Sequence, residues 1–530
     1  EIISKTIKEG NGAVIFLTLQ DLMGDDIKSK HQDLFNQNID LLIVDETHFG
    51  ARANVYGKIL ENSGLTKKQI EKETSNSDDS LDQLDKGLEN IKSLNVNVKL
   101  HLSGTPYRIL MGSEFTKDDI IAFYQFTDII DDKEQWDKEY LETVKEGTQK
   151  QYEEWDNPYY GFPQMVRFAF SPNASSRQLI ENLKQQGKTA ALNELFKPAS
   201  IAKDSNGRHK KFIHEQEVLE LLQVIDGSKE DNNLLGFLNY EKLKEGKMCR
   251  HIVCVLPFCA SCDAMESLIS RHKSIFKNLN DYEIINISGV DNKQPKIAEV
   301  KERISRYEKE GKKTISLTVN KMLTGTTVPE WDTMLFMKDV SSPQEYDQAT
   351  FRLQNQYVVK YQDEEGGIIK YNMKPQTLLV DFDINRMFIM QEQKSMIYNV
   401  NTKEKGNDEL EERVKRELEI SPIIMINKNK LVEATPANIM DAVRQYSANR
   451  TVMDEALDVP VDFKILDDPN IQRMLDNISP IDEKKGIDIK PTEGDGDDFD
   501  IPDGDDDNDN TDGGDDTSSP SGDTNSKNTE

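Results

Sequence analysis

At 530 residues, with 36% hydrophobic and 31% charged positions, the chain is long enough for two or three domains with proper cores and is not one small module. Its formal net charge is -30, but residues 491–530 hold fifteen Asp and Glu against one lysine, so the preceding 490 residues are only moderately acidic. That balance excludes a molecule that is basic all over and sticks to nucleic acid indiscriminately, yet leaves room for a local groove. No apolar run approaches the roughly 18 residues that a membrane span needs. The absence of a signal-peptide pattern and the opening on Glu1 read as a cytoplasmic chain cut at its N-terminus.

Short apolar runs recur along the chain. "AVIFLT" starts at 13, "LLIVDE" at 41 and "VKLHLSG" at 98; "HIVCVLP" follows at 251, "EIINISG" at 283, "TISLTV" at 314, "TMLFM" at 333 and "TLLVDFD" at 377. Each is nearly continuous in Val, Ile and Leu without polar alternation, the pattern of strands buried on both faces. Helical stretches between many of them imply an α/β fold with a parallel sheet covered by helices. The runs fall into two groups, residues 1–110 and 246–395. Between them, 111–245 is rich in charge and aromatics ("EQWDKEYLETVKE", "DNPYYGFPQ") and reads as a mostly helical insertion or linker. Residues 396–490 read as a small helical C-terminal region, with an N-cap at Thr435 ahead of Pro436. The final stretch, 491–530, is low-complexity ("GDGDDFDIPDGDDDNDNTDGGDD") and reads as a disordered acidic tail. It lacks the full ligand spacing of a calcium loop, and a DNA-mimicking brake is the sharper alternative.

Four cysteines lie in one window: Cys249, Cys254, Cys259 and Cys262. The "CASC" spacing suits zinc, but Cys254 sits inside a predicted buried strand, which favours ordinary buried thiols. "NGRHKKF", with Arg208, Lys210 and Lys211, is a compact basic cluster that reads as a solvated loop or a phosphate contact. Trp136, Trp155 and Trp331 are too far apart for a base-stacking platform and read as packing residues.

The chemistry-bearing stretch is "LLIVDETH", where Asp45 and Glu46 emerge at the mouth of a predicted strand. In a parallel sheet ligands sit beyond the carboxyl ends of the strands. One carboxylate there can hold hydrated magnesium while its neighbour deprotonates an attacking water, as phosphoanhydride hydrolysis requires. Alone, the pair is as readily a solvated loop start. "HLSGTPYR" follows the next apolar run, "TVNKMLTGTTVPEWDTMLFM" carries Thr324, Gly325, Thr327 and Pro329, and "QEYDQATFRLQNQY" supplies Gln348 and Arg352. Ser103–Pro106 and Gly325–Pro329, taken singly, are also plain strand-to-loop turns.

As an ordered set, these four segments resemble the second, third, fifth and sixth motifs of superfamily 2 helicases and translocases of the DEAD/DEAH-box kind, over residues 1 to about 395. The style is closest to the helicase part of restriction-type systems. The resemblance implies two RecA-like parallel-sheet domains, the first incomplete at its N-terminus, with ATP and Mg2+ as cofactors in the cleft between them. It implies that Asp45 coordinates magnesium, Glu46 is the general base, and His48 relays contact toward the sixth motif. Ser103 and Thr105 would couple nucleotide state to strand movement. Gly325 and Thr327 would line nucleotide and nucleic-acid surfaces, and Arg352 would touch the γ-phosphate. DNA is the implied partner, with methyltransferase, specificity or nuclease subunits as candidates.

The sequence departs from that pattern twice. No phosphate cradle of the form GxxxxGK[ST] precedes "DETH"; the resemblance implies that it belongs to a part before residue 1, and the expectation is that this chain alone is short of activity. The apparent substitute "NLKQQGKTA" has Asn182 at its first position, follows the "SGTP" segment and lies within a predicted helix with no predicted strand before it. In the sixth motif, Phe351, Arg352 and Asn355 stand where a Gly-Arg pair and a second arginine are usual. Two further readings stay open: a non-catalytic nucleic-acid-binding scaffold, and an RNA-directed helicase.

Overall fold

The computed structural model describes Thr6 and residues 9–17, 38–45, 94–104, 119–147, 153–185, 191–199, 210–290, 295–323, 325–340, 343–362, 366–397, 407–427 and 430–448. The chain divides into two compact units: residues 1–35, 53–94 and 482–530 in one, and 36–52 with 95–481 in the other. In the first unit, the described residues 11–17 carry no strand, and Val14 and Phe16 are exposed. The apolar run "AVIFLT" therefore does not form the expected strand there, because an apolar run becomes a strand only where a neighbour satisfies its backbone.

In the second unit, β1 (Ile39–Val44) and β2 (Val96–His101) form a parallel pair. Further along come β3 (Gln164–Ala169), β4 (His251–Val255), β5 (Tyr282–Asn286), β6 (Lys313–Thr318) and β7 (Thr333–Phe336). Then follow a separate antiparallel hairpin, β8 (Val358–Gln362) with β9 (Ile368–Asn372), and finally β10 (Gln376–Asp381), β11 (Ile423–Asn427) and β12 (Lys430–Glu433). The large sheet has the order β12-β11-β3-β10-β7-β4-β6-β5. All its pairings are parallel except that of the edge strand β12 with β11.

The large sheet is sandwiched between helices, and alternate strand residues feed two cores. Ile252, Cys254, Leu335 and Val380 point to one face, where α2 (Ala174–Gln185), α3 (Glu215–Asp226) and α4 (Cys259–Arg271) contribute Ile180, Leu221 and Met265. Val253, Val255, Phe336 and Leu379 point to the other. There α5 (Ile297–Lys309), α6 (Pro343–Thr350), α7 (Ile384–Ile397), α8 (Asn407–Ile420) and α9 (Pro436–Ala448) contribute Ile304, Tyr346, Met387, Val414 and Ile439. Every residue of β4 and β7 is buried. Each large aliphatic side chain so placed contributes roughly 1.5–3 kcal/mol.

The helix ends follow local chemistry. Thr435 and Asn438 cap α9 reciprocally, the Thr435 amide donating to Asn438 Oδ1 at 2.9 Å and the Asn438 amide to Thr435 Oγ1 at 3.3 Å, as the sequence predicts. Helix α3 stops at Gly227, whose φ of 80° is left-handed and whose absent Cβ leaves room for Asn239. An earlier helix, α1 (Phe126–Lys145), is tied to α8 by Arg416, which meets Asp131 and Glu134.

Three expectations need correction. The segment 111–245, read as a mostly helical insertion or linker between the two strand groups, also contributes β3 to the large sheet, between β10 and β11. Its apolar pattern is broken by Arg167, which is buried but donates through Nε to the Ser421 carbonyl at 3.1 Å and through Nη1 to Gln391. Residues 396–490 likewise supply a strand pair, β11 and β12, beyond the helices foreseen. The third concerns β1 and β2, which are not buried on both faces among the described residues: Leu41, Ile43 and Val98 are exposed. For the segment "NLKQQGKTA", the expected helix is present and the expected absence of a preceding strand is corrected. A strand, β3, does precede it, but residues 182–185 are the last turn of α2; Gly187, Lys188 and Thr189 lie outside the described residues.

Candidate nucleotide and nucleic-acid site

The parallel register of β1 and β2 sets Val44 opposite His101, and the Leu102 amide donates to the Val44 carbonyl at 2.8 Å. Asp45, one residue beyond β1, and Ser103, two beyond β2, therefore leave the pair at the same carboxyl end. That is the end where parallel sheets place ligands. Glu46, His48 and Thr105 lie outside the described residues, as does Thr324.

A second group assembles in the connections that follow β6 and β7. Gly325 has φ 64°, and a Cβ there would meet nothing within 4 Å, so the backbone conformation, not space, requires glycine. Thr326 is buried and Thr327 exposed. Arg352 lies in the 3-10 turn Phe351–Gln354 that continues α6; its Nη1 donates to the Thr326 carbonyl at 3.0 Å and its Nε to the Gln348 carbonyl at 3.2 Å. The structure thus brings Gly325, Thr327, Gln348 and Arg352 together through Arg352, and separately sets Asp45 and Ser103 at the same carboxyl end of β1 and β2. Asn355, which replaces the usual second arginine, donates to the Arg352 carbonyl at 3.1 Å and finishes the turn.

Behind α6 lies a buried polar network that sequence reasoning missed. Asp381 ends β10 fully buried and accepts from Arg386 Nη2 at 2.6 Å, Arg386 Nε at 3.1 Å and the Tyr346 hydroxyl at 2.9 Å. Burial works against the Arg386 charge, but Asp381 more than offsets it and holds the guanidinium above its usual value. Burial first, and then Asp381, push the Tyr346 phenol well up. Lys338, just past β7, donates to Glu345 Oε1 and Asn320 Oδ1, both at 2.6 Å. The available signal was "LLVD" at 378–381, an acidic residue closing an apolar strand as Asp45 does.

A different cluster serves the amino ends of the strands. His251 donates through Nε2 to Glu308 at 2.8 Å, Arg250 reaches the same oxygen at 2.6 Å, and the buried Asp332 accepts the His251 amide at 3.0 Å. Nearby, Lys374 donates to the Trp331 carbonyl at 3.0 Å, and burial lowers its amine to about 8. Trp331 is fully buried, as foreseen for a packing residue. Cys254 is buried in β4 as its pattern predicts, and burial pushes its thiol and that of Cys249 up to about 12. Lys210 and Lys211 are exposed, and Arg208 lies outside the described residues. A cleft of about 340 Å³ between β3, β11, β12 and residues 240–248 includes none of the candidate residues in its lining.

Over 382 residues, 65% of its length, the chain is 27% identical to a protein of Mycoplasma pneumoniae described as a putative type II restriction enzyme and methyltransferase, C-terminus. The chain is thus related to a restriction–modification protein, and it spans 48% of that relative's length. No family model matches. Among solved structures, the ATP-dependent Type ISP restriction–modification enzyme LlaBIII bound to DNA is similar at 11% identity and a TM-score of 0.33, over 79% of this chain and 22% of that one. The C-terminal part of the Fun30 ATPase domain is similar at 11% identity and a TM-score of 0.23, over 49% and 98%. Likenesses this distant carry no functional inference. Among the described residues, no helix is long and apolar enough to cross a membrane.

Proposed function

We propose that the chain belongs to an ATP-dependent motor of the superfamily 2 helicase and translocase kind, acting on DNA within a restriction–modification system. The observation that carries this reading is the contact of Arg352 with the Gly325–Thr327 loop, two segments that resemble the sixth and fifth motifs within the ordered set. The relationship to a restriction–modification protein supports the setting and the choice of DNA over RNA.

The donor set fits the cofactors. Asp45, which leaves β1 at the same carboxyl end as Ser103 leaves β2, offers a hard carboxylate oxygen, the ligand type magnesium prefers, and Arg352 offers a guanidinium that is always charged. Bound ATP with magnesium supplies a phosphoanhydride whose γ-phosphoryl group gathers spread negative charge as it transfers. On this reading Asp45 holds the ion, and Glu46 orients the attacking water and takes its proton. His48 relays toward Gln348 and Arg352, while Ser103 and Thr105 couple the nucleotide to strand movement. Gly325 and Thr327 present backbone to nucleotide and nucleic acid. Arg352 serves as a single cation, since Asn355 occupies the place of a second.

The test is ATP turnover by the full native gene product carrying Arg352→Ala, with DNA present. Loss of the finger lowers kcat on the order of a thousandfold while DNA affinity holds. Turnover equal to the unsubstituted protein contradicts the assignment.

A further inference from the structure

We infer that Tyr346 and Glu345, anchored by Asp381 and Lys338, are positioning residues that set the rotation of α6 and with it the direction of Arg352. The inference rests on the nucleotide reading of Arg352 given above. An α-helix turns about 100° per residue, so fixing Tyr346 fixes where Gln348 and Arg352 point. Helix α6 is only eight residues long and runs directly into the turn that bears Arg352. Tyr346, Ala349 and Thr350 on it are buried, as is Leu353 in the turn that follows. Apolar contacts of this kind are non-directional and leave a short helix free to roll.

The polar bonds remove that freedom, because hydrogen bonds are angular. The Tyr346 hydroxyl meets Asp381 Oδ2 at 2.9 Å, and Asp381 is itself clamped on both oxygens by Arg386. Arg386 also donates to the Lys338 carbonyl and lies 5.0 Å from the Phe336 ring, which is in turn 5.0 Å from Tyr346. Lys338 then joins α6, through Glu345, to Asn320 at the start of the connection that leads to Gly325. Arg352 joins the same connection at Thr326. The loop and the helix are therefore fastened to each other at two points, one buried and one at the candidate site. Asp347, paired with Lys394 at 3.6 Å, adds a third hold on the helix.

Stability alone does not account for this arrangement. A buried ion pair is often no better than apolar residues of the same volume, so a set of charges gathered behind one short helix at the carboxyl ends of β7 and β10 calls for another role. Orientation of a reacting group is such a role, since misplacement by about 1 Å can cost on the order of a hundredfold in rate.

The experiment measures DNA-stimulated ATP hydrolysis by the full native gene product, comparing wild type, Tyr346→Phe, Glu345→Ala and Glu345→Gln. Tyr346→Phe keeps the ring packing and removes only the hydroxyl. The expected result is a kcat lower by about tenfold or more in Tyr346→Phe and Glu345→Ala, with KM for ATP and DNA affinity unchanged. Glu345→Gln, which can still accept from Lys338, restores most of the rate. An unaltered kcat in Tyr346→Phe beside an active wild type overturns the positioning role and leaves the motor reading intact. A rate loss matched by a lower melting temperature and a changed KM reduces these residues to structural ones and overturns it equally. Absence of ATP hydrolysis in the wild type overturns the nucleotide reading and this inference with it.

Discussion

Glu308 shows how a single side chain links the sheet to pH. Its carboxylate is 8% exposed, and burial alone raises its pKa. The hydrogen bond from His251 and the charge of Arg250 pull the other way and leave it below the usual glutamate value of 4.5. The unfolded chain therefore binds this proton more readily than the folded one. The resulting stabilisation is fully present above about pH 4.5 and disappears as pH falls through the lower folded value. Glu308→Gln should cost about 1.5–3 kcal/mol near neutrality and flatten the acid limb of a melting-temperature profile below about pH 4.5. A variant profile that overlays the wild type rules out this account of the cluster. The candidate residues differ in how openly the sequence shows them. Asp45 and Ser103 are legible because each stands within two residues of the end of an apolar run. Asp381, Tyr346 and Lys338 are not, because their bonds join positions 35 and 7 residues or more apart, which local pattern does not encode.

Among the elements, α9 offers a direct check. Its first turn is held by Thr435, and Ile439 is fully buried against the core shared with α7 and α8. Thr435→Ala removes one satisfied end amide and should lower unfolding free energy by about 1 kcal/mol in urea titration, with an unchanged slope. No change would mean that Pro436 alone starts the helix. Strands β4, β7 and β10 are readable from sequence because both faces are buried and their apolar runs are nearly continuous; β6 is buried on both faces too, though Thr314, Ser316 and Thr318 alternate with its apolar residues. Strand β3 escapes that reading because Arg167 sits in its middle, neutral in pattern terms only once Ser421 and Gln391 are known to receive it. The short β12 escapes it because an edge strand carries Lys430 and Glu433, as exposed edges tend to.

For the whole molecule, the large sheet is a scaffold whose carboxyl ends lead to Gly325, Thr327, Gln348 and Arg352, while its amino ends are closed by the structural cluster of His251, Glu308 and Asp332. With a net charge of -30, the proposed contact with DNA would depend on a confined surface, not on general attraction. The acidic stretch 491–530, which lies outside the described residues, adds to that demand. The chain spans about half the length of its restriction–modification relative, and the proposed motor is therefore tested on the full native gene product. The decisive measurement is its ATP turnover without DNA, with single-stranded DNA and with duplex, beside a Glu46→Gln variant. Hydrolysis stimulated by DNA and reduced on the order of a hundredfold or more in the variant is the predicted result, because a general base contributes at least that much. DNA binding without any ATP turnover in the wild type would contradict the motor and leave a fold retained for binding.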